Sequence, residues 1–169
     1  MLNFVSTIYS LFSKTHEKLG AILIKRGLQV CSAESCTGGL LSSRLTDVSG
    51  SSAYTRANFV TYSNEAKQQL LGVDEKIIEQ YGAVSEECAR AMAEGLMAKT
   101  DCNLAICTTG IAGPTGGTAE KPVGLIYISV GYKGSITVKK FLLNPRLNRK
   151  NMKFMFTEKA LELVIKTIN

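Results

Sequence analysis

Short apolar runs alternating with stretches of helical periodicity restrict the folds open to this chain more than any other feature. Leu28–Ser32 is an apolar run of strand length, and behind it Leu40, Leu41, Arg44, Leu45 and Val48 recur at helical spacing. Asn58–Tyr62 alternates as a strand does. Ser63-Asn64-Glu65 then opens a helix bearing Ala66, Leu70 and Leu71, which stops near Gly72. A short helix near 74–80 and a longer one from Ser85 to about Lys99 follow, with Ser85 at the N-cap and Glu86 and Glu87 set favourably against the helix dipole. Asn103–Thr109 reads as a central buried strand. Val123–Tyr132 and Ser135–Leu143 form a hairpin across Lys133-Gly134. Helices flank the whole: residues 4–26, whose apolar side is Ile8, Leu11, Phe12, Leu19, Ile22 and Leu23 and which Gly27 ends, and roughly 148–167. Interleaved helices and strands imply an α/β fold, a three-layer α/β/α sandwich whose mixed sheet is mostly parallel, with a C-terminal antiparallel hairpin. The 169 residues read as one domain, with residues 1–16 as a helical extension.

Composition narrows the function classes. Hydrophobic residues at 45% and charged residues at 20% describe an ordinary globular protein, and no run of about 18 apolar residues is present to cross a membrane. The opening Met1–Ser6 has no basic region or small-residue cleavage site, so a cytoplasmic location is expected. Five cysteines, no Cys-x-x-Cys pair and a single histidine argue for buried free thiols and against a zinc site, so neither metal nor cofactor is expected. His16, remote from every other chemical signal, reads as structural or exposed. The net charge of +6 is uneven: from Lys133 onward nine Lys or Arg face two Glu, whereas residues 1–132 carry a net −1. A basic C-terminal segment suits nucleic acid, an anionic membrane surface or a small phosphorylated substrate, and equally a solvated helix face.

The chemical candidates gather at the strand ends. Ala33–Gly39 turns the first strand into a helix through small and hydroxyl residues, which leaves backbone N–H groups facing the turn. Ser35 lies there, beside Gly38 and Gly39, in a setting that suits a nucleophile, a bound phosphate or a plain helix cap. Tyr62 stands at the end of the second strand, and Lys67 follows in the first turns of the next helix. Serine with a neutral lysine is a known alternative to Ser-His-Asp in acyl transfer, and a helix N-terminus disfavours an ammonium. Tyr62 is then placed to relay or hold the proton. Cys36 competes with Ser35 but has no nearby histidine to form its thiolate. The loop Gly110–Gly117 matches neither the phosphate-binding P-loop nor a dinucleotide fingerprint, yet its glycines permit backbone approach to a ligand.

Taken together, Ala33–Gly39, Gly50–Ser52, Tyr62–Lys67, Leu71–Val73, Gly82–Glu86, Gly110–Gly117 and Lys121–Gly124 resemble, in order and spacing over about residues 17–165, the CinA carboxy-terminal domain family. Its stand-alone members are nicotinamide-nucleotide amidases. The resemblance implies hydrolysis of nicotinamide mononucleotide to nicotinic acid mononucleotide and ammonia, with Ser35 as nucleophile, Lys67 as its base, Tyr62 as the third catalytic residue, and no metal. The amides of Thr37, Gly38 and Gly39 are the expected oxyanion hole. Ser51, Ser52, Gly110, Gly113 and Arg149 are the expected substrate contacts. The expected partners are a small phosphorylated pyridine nucleotide and a second copy of the chain in a homodimer, with nucleic acid and membrane unlikely ones. The resemblance does not extend to the additional N-terminal domain of longer members, so that domain's chemistry is not carried over.

Two departures stand out. Asn58 occupies a position where relatives have Gly, at a turn that Asn also tolerates. Leu147-Asn148-Arg149 replaces the family's Gly-Asp-Arg after an insertion containing Pro145, with Arg149 the counterpart of the Arg and Arg146 its competitor. Two other readings stay open: a non-catalytic binding module that works through the basic C-terminal segment, and an amidase for a related pyridine nucleotide.

Overall fold

The computed structural model describes residues 13–169. In chain order the elements are α1 (Thr15–Arg26), β1 (Val30–Glu34), α2 (Leu40–Thr46), β2 (Thr55–Val60), α3 (Asn64–Leu71), α4 (Glu75–Tyr81), α5 (Glu86–Lys99), β3 (Leu104–Gly110), β4 (Leu125–Tyr132), β5 (Ser135–Leu142) and α6 (Arg149–Ile168). The part of the expected first helix at residues 4–12 lies outside the described residues.

One five-stranded sheet runs in the order β2-β1-β3-β4-β5. β1 pairs in parallel with β2 and β3, while β3–β4 and β4–β5 are antiparallel. Four of the five strands therefore point the same way, and only β4 runs against them. The period of two along each strand divides the interior into two cores. Val30, Leu104, Ile106, Ile126, Ile128 and Val130 face α1, α2 and α6. Cys31, Ala33, Ala105 and Cys107 face α3, α4 and α5. The fold is the expected α/β/α sandwich with a mixed sheet.

Local chemistry explains most boundaries. Gly27 closes α1 in the left-handed conformation at φ 61°, and Leu28 N–H reaches back to Leu23 O. Leu28 thus belongs to the cap, and β1 starts two residues later than the apolar run suggests. Ser63, Asp74, Ser85 and Asn148 each cap a helix through the side-chain oxygen. β2 likewise runs earlier than expected, and it takes in Asn58, so that residue is not in a turn. Asn58 Oδ1 accepts a hydrogen bond from Ser32 Oγ at 2.8 Å instead. Gly95 of α5 sits so close to α3 that a Cβ there would lie 1.8 Å from Leu71 O, so only a residue without a side chain lets the two helices approach this closely.

A buried polar cluster joins α6 to the N-terminal helices. Arg44 forms an ion pair with Glu158, stands 4.5 Å over the ring of Phe154 and donates to Thr157 Oγ1 at 3.0 Å. Glu158 also accepts from Ser13 and Thr15, and His16 Nδ1 lies 3.3 Å from Arg44. The histidine is structural, and the cluster fixes where the start of α6 lies.

Candidate active site

The sheet places chemistry at its carboxyl edge. The connection from β1 leads to one neighbour, β2, and the chain returns to pair β3 on the other side, so the strand order reverses between β1 and β3. In open α/β sheets ligands bind outside such a reversal. A cleft of about 240 Å³ opens there, with Ser35 and Cys36 just after β1, Tyr62 beyond β2, Gly110 at the end of β3, Gly113 beyond it, and Arg149 from α6 on its walls.

Ser35 is pinned from both sides: its N–H donates to Thr108 O at 2.9 Å and its carbonyl accepts from Gly38 N–H at 3.1 Å. Thr37 Oγ1 is 2.8 Å from Thr108 Oγ1, a second tie between the bend and β3. Positive φ at Gly38 (56°) and Gly39 (90°) lets the chain turn directly from strand into helix.

Lys67 is 1% exposed, and its Nζ lies 3.3 Å from Ser35 Oγ. The same nitrogen donates to Thr61 O at 3.0 Å and Ser63 O at 3.3 Å. Burial holds its pKa below the ordinary lysine value, against an upward pull from the neighbouring Cys88, Cys36 and Glu65. A neutral amine has two N–H bonds and one lone pair. With the two carbonyls and Ser35 Oγ around it, Nζ has three oxygen partners; once deprotonated it can keep its two N–H bonds on the carbonyls and turn the lone pair to the Ser35 hydroxyl. Cys36 is a poor competitor: burial, with the Glu34 carboxylate adding to it, pushes its thiol up to about 12.

Several of the expected site residues have other partners in the structure. Gly38 N–H is taken by Ser35 O, and Gly39 N–H donates to Glu34 Oε2 at 3.0 Å. Of the expected oxyanion donors Thr37 therefore remains, its amide with no backbone acceptor among the described residues. Tyr62 is 59% exposed, and its hydroxyl accepts from Arg149 at 2.8 Å with no hydrogen bond to Ser35 or Lys67. It walls the cleft and is not positioned as a proton relay. Ser51 and Ser52 precede β2, at the opposite edge of the sheet from Ser35. A five-residue strand separates the two ends, roughly 16 Å at the usual rise. They do not line the cleft in this chain. Arg149 lines the cleft and donates to Gly113 O at 2.6 Å, whereas Arg146 is not among its lining residues.

Glu34 was not singled out from sequence. Its carboxylate, fully buried, accepts from the amides of Gly39, Leu41 and Ser42 and from the Ser42 hydroxyl. It fills the N-terminus of α2, which has no side-chain cap of its own at Gly39. The available signal was that missing cap: a helix opened by glycine needs another acceptor for its first amides.

A parallel-stranded core with a serine–lysine pair at the strand reversal defines the class of protein: an α/β/α domain with a polar cleft at its carboxyl edge. The chain belongs to the CinA C-terminal domain family, which residues 12–168 match. It is similar to a CinA-like protein of Chloroherpeton thalassium (48% identity over 155 residues, 90% of this chain and 37% of the relative) and to one of Chlorobium limicola (47% over 148 residues, 86% and 34%). It spans about a third of the length of these relatives. Among solved structures it resembles the competence/damage inducible protein CihA of Agrobacterium tumefaciens, with a TM-score of 0.87 and 38% identity over 94% of this chain and 98% of that one. The CinA superfamily protein of Escherichia coli is also similar, with a TM-score of 0.86 and 30% identity over 90% and 88%.

Proposed function

We propose that the cleft hydrolyses the carboxamide of a phosphorylated pyridine nucleotide, converting nicotinamide mononucleotide to nicotinic acid mononucleotide and ammonia. The observation that carries this reading is the buried Lys67 amine, 3.3 Å from Ser35 Oγ and anchored by two carbonyls. A lysine whose burial disfavours the ammonium, set against a serine hydroxyl, is placed to take that hydroxyl's proton. The family resemblance supports the choice of substrate.

In the first half-reaction Ser35 Oγ attacks the carboxamide carbon and its proton passes to Lys67 Nζ. The Thr37 amide donates a hydrogen bond to the developing oxyanion. The lysine ammonium then protonates the leaving nitrogen, the C–N bond breaks, and ammonia departs from an ester on Ser35. In the second half water attacks the ester, Lys67 takes the water's proton, and that proton returns to Ser35 Oγ as the acid is released. Tyr62 offers a flat wall against which the pyridine ring can lie. The reading includes a cytoplasmic enzyme that works as a homodimer. No helix of the described residues is long and apolar enough to cross a membrane.

The direct test is ammonia release from nicotinamide mononucleotide by folded, concentrated protein, with related pyridine nucleotides run alongside. Release that disappears in Ser35→Ala supports the reading. A folded protein that turns over none of them rejects it in favour of the non-catalytic binding module.

A further inference from the structure

Two of the five cysteines meet toward the amino edge of the sheet, away from the catalytic bend. Cys31 is the second residue of β1, is fully buried, and faces the core that the sheet forms with α3, α4 and α5. Cys102 lies two residues before β3, packs against the same core, and is the one cysteine of the five that is not buried. Three hydrogen bonds tie their segments together. Gln29 O accepts from the amides of Asn103 and Leu104, and Gln29 N–H donates to Asn103 Oδ1 at 2.9 Å. Just beyond, Cys31 pairs with Ala105 in parallel register. The two thiols are hydrogen-bond partners, and Thr100 Oγ1 lies 3.1 Å from Cys102 Sγ. The Cys102 thiol, donating to the other sulfur, holds Cys31 below the ordinary thiol value and is itself pushed up, so the pair gives up its first proton early and its second late. On its outer side Cys102 lines a groove of about 360 Å³ with Leu28, Met97, Asn103, Tyr132 and Lys133. One thiol thus meets solvent and the other stands behind it, and neither has a part in the chemistry of Ser35 and Lys67.

We propose that Cys31 and Cys102 form a thiol–disulfide site, in which Cys102 reacts with a low-molecular-weight disulfide entering the groove and Cys31 closes the internal bond. The Cys102 sulfur, as thiolate, attacks one sulfur of the reagent. The reagent's S–S bond breaks, and one small thiol leaves with the proton that the pair gave up. Cys31 then attacks the Cys102 sulfur of the mixed disulfide, and the second small thiol departs with the remaining proton. Two cysteine thiols are oxidised by two electrons, and one reagent disulfide is reduced to two thiols. The sequence separation gives the bond its effect. It closes a loop from β1 to the approach of β3, and both Ser35 and Lys67 lie within that loop. The unfolded chain then loses freedom that the folded protein never had. The site is a reversible staple on the strands that carry the catalytic bend and Thr108. It goes beyond the amidase reading and does not depend on it.

The test is incubation of the folded full chain with glutathione disulfide, read by intact mass, by peptide mapping without reductant and by urea unfolding. The parent is expected to lose two hydrogens, to keep no glutathione, and to yield a peptide that joins Cys31 to Cys102. Dithiothreitol should reverse the change. The urea midpoint of the oxidised form should lie above that of the reduced form by on the order of 1 M, as a long closed loop implies. Cys31→Ala should stop at a stable glutathione adduct on Cys102, because nothing stands behind that sulfur to displace it. Cys102→Ser should react about tenfold more slowly, since its remaining thiols are buried. Should Cys31→Ala fail to fold, the parent's peptide map still decides, together with the urea midpoint of Cys102→Ser, which the reagent should leave unshifted. The proposal is overturned by a parent that keeps glutathione on Cys102, or by a disulfide joining any other pair. It is equally overturned by no reaction under conditions that modify the unfolded chain, or by an oxidised form no more resistant to urea than the reduced one.

Discussion

Two helix N-termini flank the cleft, and they resolve the same electrostatic problem in opposite ways. The start of α2 is closed: the buried Glu34 carboxylate accepts three of its amides, so the positive end of the helix already holds its anion. The start of α6 is open: Asn148 caps it through Asn151 N–H, and the surrounding side chains add positive charge instead of cancelling it. A closed terminus makes a rigid bend, which suits a nucleophile that must stay aimed at Lys67. A terminus flanked by cations attracts anions, which suits recognition. Changes at the closed end should therefore act on the rate or on the fold, and changes at the open end on ligand affinity.

The largest effect expected from this division is on the chemical step. Ser35→Ala or Lys67→Met should each lower kcat for ammonia release by about a thousandfold or more, and the double variant should be no worse than either single one, because the two side chains act as a unit. Steady-state kinetics on purified variants checks this. Additive losses would mean that Lys67 does not work through Ser35, and the closed terminus would lose its proposed purpose.

Next comes stability. Glu34→Gln leaves the bend one amide acceptor short and turns a donor toward the α2 amides, which should cost about 3 kcal/mol in urea unfolding. Asn148→Ala removes an ordinary side-chain cap at the open end and should cost about 1 kcal/mol. Equal losses at the two sites would break the contrast. A larger loss at Asn148 would reverse it.

Much of the fold was legible because its signals are local. The alternating apolar runs gave the strands, and Ser63, Ser85, Gly27 and Gly72 punctuate helices through contacts within four residues of themselves. The hairpin across Lys133-Gly134 was equally plain, since both residues take positive φ in the turn. The Ser35–Lys67 pair was found by placing both residues at strand ends, and their proximity spans 32 positions of sequence. What escaped depends on burial or on which edge of the sheet a loop occupies. Gly50-Ser51-Ser52 has the same composition as a ligand-binding turn, but it precedes its strand instead of following it. The family's Gly at this position suggests a turn at Asn58, but β2 starts before the alternating run and takes the residue in. Glu34 looked like a polar residue at the end of a strand, and only the folded bend brings three amides to its carboxylate. The cations at the start of α6 stand beside the cleft because of how that helix docks, which the Arg44–Glu158 cluster decides across more than a hundred residues.

The smallest predicted effect has the opposite sign and comes from Lys67 itself. Its folded-state pKa lies below the ordinary lysine value because burial disfavours the ammonium. Between the two values the unfolded chain holds a proton that the folded protein has released, so stability rises with pH across that window. Below the window both states are protonated and the cost of burying the ammonium is fully present. Lys67→Met removes that cost and keeps most of the packing. The variant should therefore be more stable than the parent near neutral pH, on the order of 1 kcal/mol, with the gap closing as pH approaches the ordinary lysine range. Parent kcat/KM should rise along the same limb, as the amine is freed to accept the Ser35 proton. Urea unfolding and kinetics measured across that range check both halves. A variant less stable than the parent at neutral pH would show that the lysine is held as an ammonium by its carbonyls, and the case for its acting as a base would fall with it.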